Sequence, residues 1–181
     1  MRKKILIVLA TLAAVIVIFL VIVAMQPADY RVVRTASIAA PPDKVFAQVN
    51  DFHNWEAWSP WVKIDPAAKF TYDGPQAGVG AIFAWTGNKE VGEGRMTLTE
   101  SHLSDLIRIK LEFIKPFPST CLTEFTFKPE GKDTVVTWAM SGTKNFMSKA
   151  VCMFMNMDKM VGGDFEKGLA SMKSVSETAL K

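Results

Sequence analysis

IAAPPDKVFAQVNDFHNWEAWSPW, residues 38–61, holds a strand end, a helix and a second, shorter helical turn in close succession. Tyr30 to Ala39 (YRVVRTASIA) has the β-branched content and partial alternation of a strand. Pro41-Pro42 ends that strand and pre-sets φ for the first turn of a helix, with Asp43 placed for the helix dipole. Val45, Phe46 and Val49 follow at helical spacing. Asn54 is placed to cap one further short turn, and Ser59-Pro60 must stop it. Trp55, Trp58 and Trp61 recur every three residues, so their rings line one side of that turn and its exit.

Downstream the text becomes strands. Residues 81–86, 94–100, 106–114, 120–128 and 134–140 are separated by turns rich in Gly, Pro, Asn or Asp, the spacing of an antiparallel meander. Ile107, Ile109, Leu111 and Phe113 alternate with Arg108, Lys110 and Glu112; Thr123, Phe125 and Phe127 alternate with Glu124 and Thr126; Val136, Trp138 and Met140 alternate with Thr137 and Ala139. One face is therefore apolar and aromatic, and the other meets water. From Lys144 to Lys181 there is no proline, and apolar residues recur every three or four positions, the pattern of an amphipathic helix that Gly162-Gly163 is expected to divide. The expectation is an α+β fold, a curved antiparallel sheet wrapped around a long C-terminal helix.

Upstream, the 21 residues from Ile5 to Met25 contain no charge, proline or glycine. At about 1.5 Å per residue they span roughly the 30 Å hydrocarbon core of a bilayer. A cleavable signal peptide would have a shorter apolar run and a clearer small-x-small site, so an uncleaved transmembrane anchor over residues 1–27 is the reading, with one domain over 28–181. Arg2, Lys3 and Lys4 favour a cytoplasmic N-terminus and a domain on the outer side of the cell membrane. Those three residues also carry the whole net charge of +3: of 21 basic side chains 18 remain, against 18 acidic ones. A balanced body has no footprint for a phosphate backbone, which argues against nucleic acid as a partner.

The opening segment, with GVGAIFAW (78–85), GEGRMTL (92–98) and DFEKGLASMK (164–173), resembles the START-like (SRPBCC) superfamily in its polyketide cyclase/dehydrase branch. The resemblance runs from Asp29 to about Lys173. It implies a helix-grip fold enclosing an apolar cavity for a lipid, polyketide, steroid-like or other hydrophobic small molecule, and a single-pass N-terminal helix is familiar in some bacterial members. It specifies fold well and chemistry poorly.

The candidate ligand-binding residues are the large apolar side chains on the expected inner faces: Trp55, Trp58, Phe83, Trp85, Met96, Phe113, Phe125, Trp138, Met140, Phe154 and Met157. Taken singly, each of these side-chain types is more often plain core than ligand contact. Met147, Met153, Met155, Met157 and Met160 crowd one helix and cannot all share a face, which points to contact with something beyond the sheet, whether lipid, ligand or partner. Candidates for acid/base work are thin: His53 and Glu56, or Glu90, Glu93 and Arg95. No catalytic residue is assigned, and a cyclase/dehydrase-type enzyme or a ligand-free interaction domain stays open beside the binding module. Gly78-Val79-Gly80 lacks the third glycine and the helix of a dinucleotide loop, His53 and His102 stand alone, and no thiol motif occurs, so no cofactor or metal is expected. Cys121 and Cys152 could pair, but sequence does not set their distance.

Overall fold

The computed structural model describes residues 2–178. They divide into two compact units, one formed by residues up to Tyr30 with Thr143–Asn156, the other by Arg31–Gly142 with the chain from Met157 onward.

The first unit contains α1 (Arg2–Met25), exposed along its length except for Val23, and α4 (Phe146–Cys152). Helix α1 is long and apolar enough to cross a membrane. At about 1.5 Å per residue its 24 residues extend about 36 Å.

The second unit is built on a seven-stranded antiparallel curved sheet in the order β1-β7-β6-β5-β4-β3-β2. Its strands are β1 (Asp29–Ile38), β2 (Lys69–Asp73), β3 (Ile82–Thr86), β4 (Glu93–His102), β5 (Leu106–Lys115), β6 (Ser119–Glu130) and β7 (Asp133–Thr143). Strands β2 to β7 follow one another as neighbours, the expected meander, and β1 closes beside β7. Register shifts near Gly94 and Leu98 place bulges in β4, which bend the sheet. Between β1 and β2 come α2 (Pro42–Asn50), a 3-10 turn (Phe52–Asn54) and α3 (Trp55–Trp58).

Helix α5 (Met157–Thr178) lies on the concave face, burying Phe165, Leu169 and Met172. It runs unbroken through Gly162-Gly163, contrary to the expected division; the helical text breaks earlier, between Cys152 and Met157. The reason is what Gly162 accommodates. The Arg34 guanidinium from β1 lies against its Cα, donating to Glu166 Oε1 at 2.6 Å, to Asp158 Oδ1 at 3.0 Å and to the Asp158 carbonyl at 3.0 Å. A glycine in mid-helix here is a seat for a side chain rather than a breaker.

The short helix α3 has a definite task. The last carbonyls of α2 lack intrahelical partners. Asn54 Nδ2 donates to Ala47 O at 2.9 Å, Trp58 Nε1 to Gln48 O at 2.9 Å and Trp55 Nε1 to Val49 O at 3.1 Å. Asn54 thus closes the end of the preceding helix, and its side chain does not cap α3. Asp51 instead caps the 3-10 turn by accepting from His53 N.

Candidate functional site

The cross-strand register sorts the inner face of the sheet into rows. One row runs Phe70, Trp85, Gly94, Phe113, Ser119; the next runs Tyr72, Phe83, Met96, Leu111, Cys121, Gly142; beyond them come Leu98, Ile109, Thr123 and Met140, then Ile107, Phe125 and Trp138. Burial changes along this series.

The far rows are solid. Trp138 stacks on Phe165 of α5 at 4.0 Å between ring centroids and 8° between planes, and on Phe125 at 4.8 Å. Trp55 and Trp58 meet each other at 4.5 Å and Trp138 edge-on, and Trp61 touches both Trp138 and Phe165 edge-on. Gly168 brings α5 close enough for this stack, since a methyl group there would meet Trp138 Cζ3 at 2.8 Å. Trp55, Trp58, Phe125, Trp138 and Met140 therefore sit in a filled aromatic core. Among the described residues the Trp138 indole N–H has no hydrogen-bond partner, a burial that costs about 1–3 kcal/mol.

The near rows are open. Phe83 and Met96 are buried, but Phe70, Trp85 and Leu111 are only half-buried and Phe113 is 37% exposed. Trp85 is fixed rather than loose: its ring lies across Gly94, where a Cβ would overlap it, and its Nε1 donates to Val91 O at 3.2 Å. Phe113 meets it edge-on at 6.1 Å, and Phe83 stacks on both Trp85 and Phe70. The result is an aromatic ledge with small Gly94 and Cys121 between larger residues, its rings fixed in place and part-open to solvent. Of the other candidates, Phe154 is 79% exposed on the turn after α4, and Met157 opens α5 half-buried.

A second concavity has walls of mixed polar and apolar character. A cleft of about 370 Å³ is lined by Phe52, His53, Tyr72, Gly74, Gln76 and Ile82, among others. His53 Nδ1 lies 2.7 Å from Asp51 Oδ1, Gln76 Nε2 donates to Asp51 Oδ2, and the imidazole stacks on Tyr72 at 4.0 Å. Tyr72 OH donates to Glu56 Oε1 at 2.9 Å. Burial alone would raise the Asp51 pKa, but bonds from the His53 N–H, the His53 ring and Gln76 outweigh it and hold the carboxyl below its ordinary value. Burial first, then the Glu56 bond and charge, push the Tyr72 phenol up to about 12. Chemically this is an oriented imidazole beside a proton-retaining phenol. Neither Asp51 nor Tyr72 stands out in the sequence: Asp51 acts as a local cap and imidazole partner, and Tyr72 is placed by β2, a strand of only five residues.

The remaining acid/base candidates face away. Arg95 Nε donates to Glu112 Oε2 at 2.8 Å and Lys115 Nζ to Glu93 Oε1 at 2.9 Å, pairs between neighbouring strands on the outer face, while Glu90 is in the exposed loop before β4. Cys121 is buried on β6 and Cys152 ends α4. Among the described residues no group of three or more His, Cys, Asp or Glu is placed to hold a metal ion.

A sequence model described as polyketide cyclase / dehydrase and lipid transport matches residues 29–177. The chain belongs to this family. A search of curated protein sequences finds no match. Among solved structures, the fold is similar to truncated norcoclaurine synthase from Thalictrum flavum, at 11% identity and a TM-score of 0.63, covering 83% of this chain and 96% of that one. It is also similar to a protein from Chromobacterium violaceum, at 15% identity and a TM-score of 0.58, covering 84% and 99%. A third similar structure is major latex-like protein 151 from Panax ginseng, at 10% identity and a TM-score of 0.58, covering 82% and 97%. At these identities the likeness is one of fold, and within the family it is the ledge and the cleft of this chain that carry the functional argument.

Proposed function

We propose that this family domain is held at a membrane by α1 and binds a hydrophobic small molecule or lipid on the open end of its concave face, with Trp85, Phe113, Phe70, Phe83 and Met96 as the contact residues. The observation that carries the reading is the gradient of burial along one sheet face: the rows at one end are sealed under α5, and Phe70, Trp85 and Phe113 at the other end stand half-uncovered. Apolar rings held in fixed positions and left accessible are what a ligand of that chemistry needs.

The anchor reading is supported by the first unit itself. Val23 is wholly buried, α4 packs against α1, and Lys149 Nζ donates to Ala24 O at 3.2 Å. A cleavable leader has no use for contacts to the chain it leaves. The charge asymmetry around α1 favours a cytoplasmic N-terminus and a domain on the outer face.

The test is native mass spectrometry with lipid extraction on the full chain, purified in detergent from a membrane-containing host. A reproducible apolar molecule is expected to co-purify and to be lost in Trp85→Ala and Phe113→Ser variants that keep the native circular dichroism spectrum. A chain that is empty, and that takes up no fluorescent fatty acid, overturns the binding reading.

A second reading, catalysis on a hydrophobic intermediate, is favoured by the Asp51–His53 pair beside Tyr72 in the 370 Å³ cleft. It requires that the co-purifying molecule be chemically altered on incubation, and that His53→Gln abolish the change without releasing the molecule.

A further inference from the structure

Helix α4 and the turn after it expose more apolar surface than an outer helix needs. Phe146, Met147, Val151, Met153, Phe154 and Met155 are all exposed, Met147 by 67% and Phe154 by 79%. The segment is nevertheless ordered. Asn145 caps it by accepting from Ser148 N at 2.8 Å, and the Met153, Phe154 and Met155 amides close turns back onto Lys149 to Val151. Residues 144–156 contain two lysines and no acidic residue.

The position of α4 decides what can cover it. It belongs to the same compact unit as α1 and packs on that helix. Lys149 Nζ donates to Ala24 O, a last-turn carbonyl with no intrahelical partner, and Lys144 N donates to Ala28 O at 2.8 Å. Both contacts fall where the apolar run of α1 gives way to Gln26, Pro27 and Ala28. A spanning helix leaves the hydrocarbon at the headgroup boundary. Any element pinned to its last turn is held at that depth.

We propose that Phe146, Met147, Val151 and Phe154 dock into the interfacial layer of the bilayer that α1 spans, with Lys144 directed to anionic phospholipid headgroups. This rests on reading α1 as an uncleaved membrane span. An apolar surface carrying only positive charge is the composition of interfacial segments, and thioether side chains adapt to an irregular acyl boundary. The occupant is lipid because the element beside which α4 is fixed is itself a lipid-spanning one.

The experiment uses the full chain in lipid nanodiscs with Cys121 and Cys152 replaced by Ala, and an environment-sensitive fluorophore on one introduced cysteine at a time: Leu12→Cys in mid-span, Phe154→Cys after α4, and Leu103→Cys on the exposed turn after β4. Quenching is read with phospholipids carrying a nitroxide either near the headgroup or deep in the acyl chain. The expected result is deep quenching at position 12, shallow quenching at position 154 several-fold stronger than at 103, and a further gain at 154 when phosphatidylglycerol replaces phosphatidylcholine that Lys144→Gln removes. Deep quenching at 12 with position 154 indistinguishable from 103 overturns the proposal and leaves the anchor standing. Position 154 shielded from aqueous iodide yet unquenched by either lipid also overturns it, in favour of a protein partner. No lipid quenching at 12 removes the anchor, and the proposal with it.

Discussion

Two glycines of α5 show how one residue type serves different ends. Gly163 has open space where its side chain would be, whereas a methyl group on Gly168 would press on Trp138, which is held between Phe125 and Phe165. Gly163→Ala is therefore expected to stabilise the fold by about 0.5–1 kcal/mol through helix propensity. Gly168→Ala, with the same propensity gain, is expected to destabilise it by about 1–3 kcal/mol through overpacking. Urea unfolding of the two variants, compared at equal m-value, checks the opposite signs. Tyr72 offers a second residue-scale test. Its folded pKa is raised to about 12, so the stability it contributes is complete below the ordinary phenol value and is lost as pH rises toward 12. An ultraviolet phenolate titration should show a late component that Tyr72→Phe deletes; a titration complete near 10 would mean that the phenol is neither buried nor bonded to Glu56 in solution. Sequence alone could name the tryptophans but not their polar duties, because a hydrogen bond from an indole to the end of another helix leaves no periodic trace.

Among the elements, alternation made the long strands and the apolar face legible, since a two-residue period is a direct record of a half-buried pleat. Strand β2 escaped because KFTYD is short and its edge position leaves Lys69, Thr71 and Asp73 in water. The helix break lies away from the glycines for a related reason: local text presents glycine as an interruption, whereas the pair Arg34–Gly162 is a long-range lock between β1 and α5. The candidate site divides the same way. Phe83 and Trp85 could be seen to share a strand face, but the difference between the sealed and the open ends of the sheet depends on how far α5 reaches. The α2–α3 junction carries its own prediction. Asn54→Ala removes the donor to Ala47 O, and should cost about 0.5–1.5 kcal/mol, measured by chemical unfolding, with α3 remaining in place through Trp55 and Trp58.

Across the molecule, several surface carboxylates are paired with bases. Hydrogen bonds from Arg95 and then Lys110 bring the Glu112 pKa down to about 2, Arg108 lowers Glu100, and Arg34 lowers Asp158. Folded-state pKa values below the unfolded ones mean that this stability is present in full above the ordinary carboxylate range and drains away as pH falls toward 2. Thermal midpoints should therefore hold steady from neutrality to about pH 5 and drop below it, with Glu112→Gln flattening the acid limb. High salt should shrink the effect, because the pairs lie at the surface. The arrangement of the rings has an optical consequence as well. Of the five tryptophans, Trp55, Trp58, Trp61 and Trp138 form one cluster of touching chromophores, within which excitation migrates and exciton coupling shapes the near-ultraviolet signal. Trp85 stands outside it on the ledge. The chain thus has a built-in reporter: a molecule arriving at the open end would change the iodide-quenchable fraction of the emission and leave the coupled bands of the buried cluster as they were.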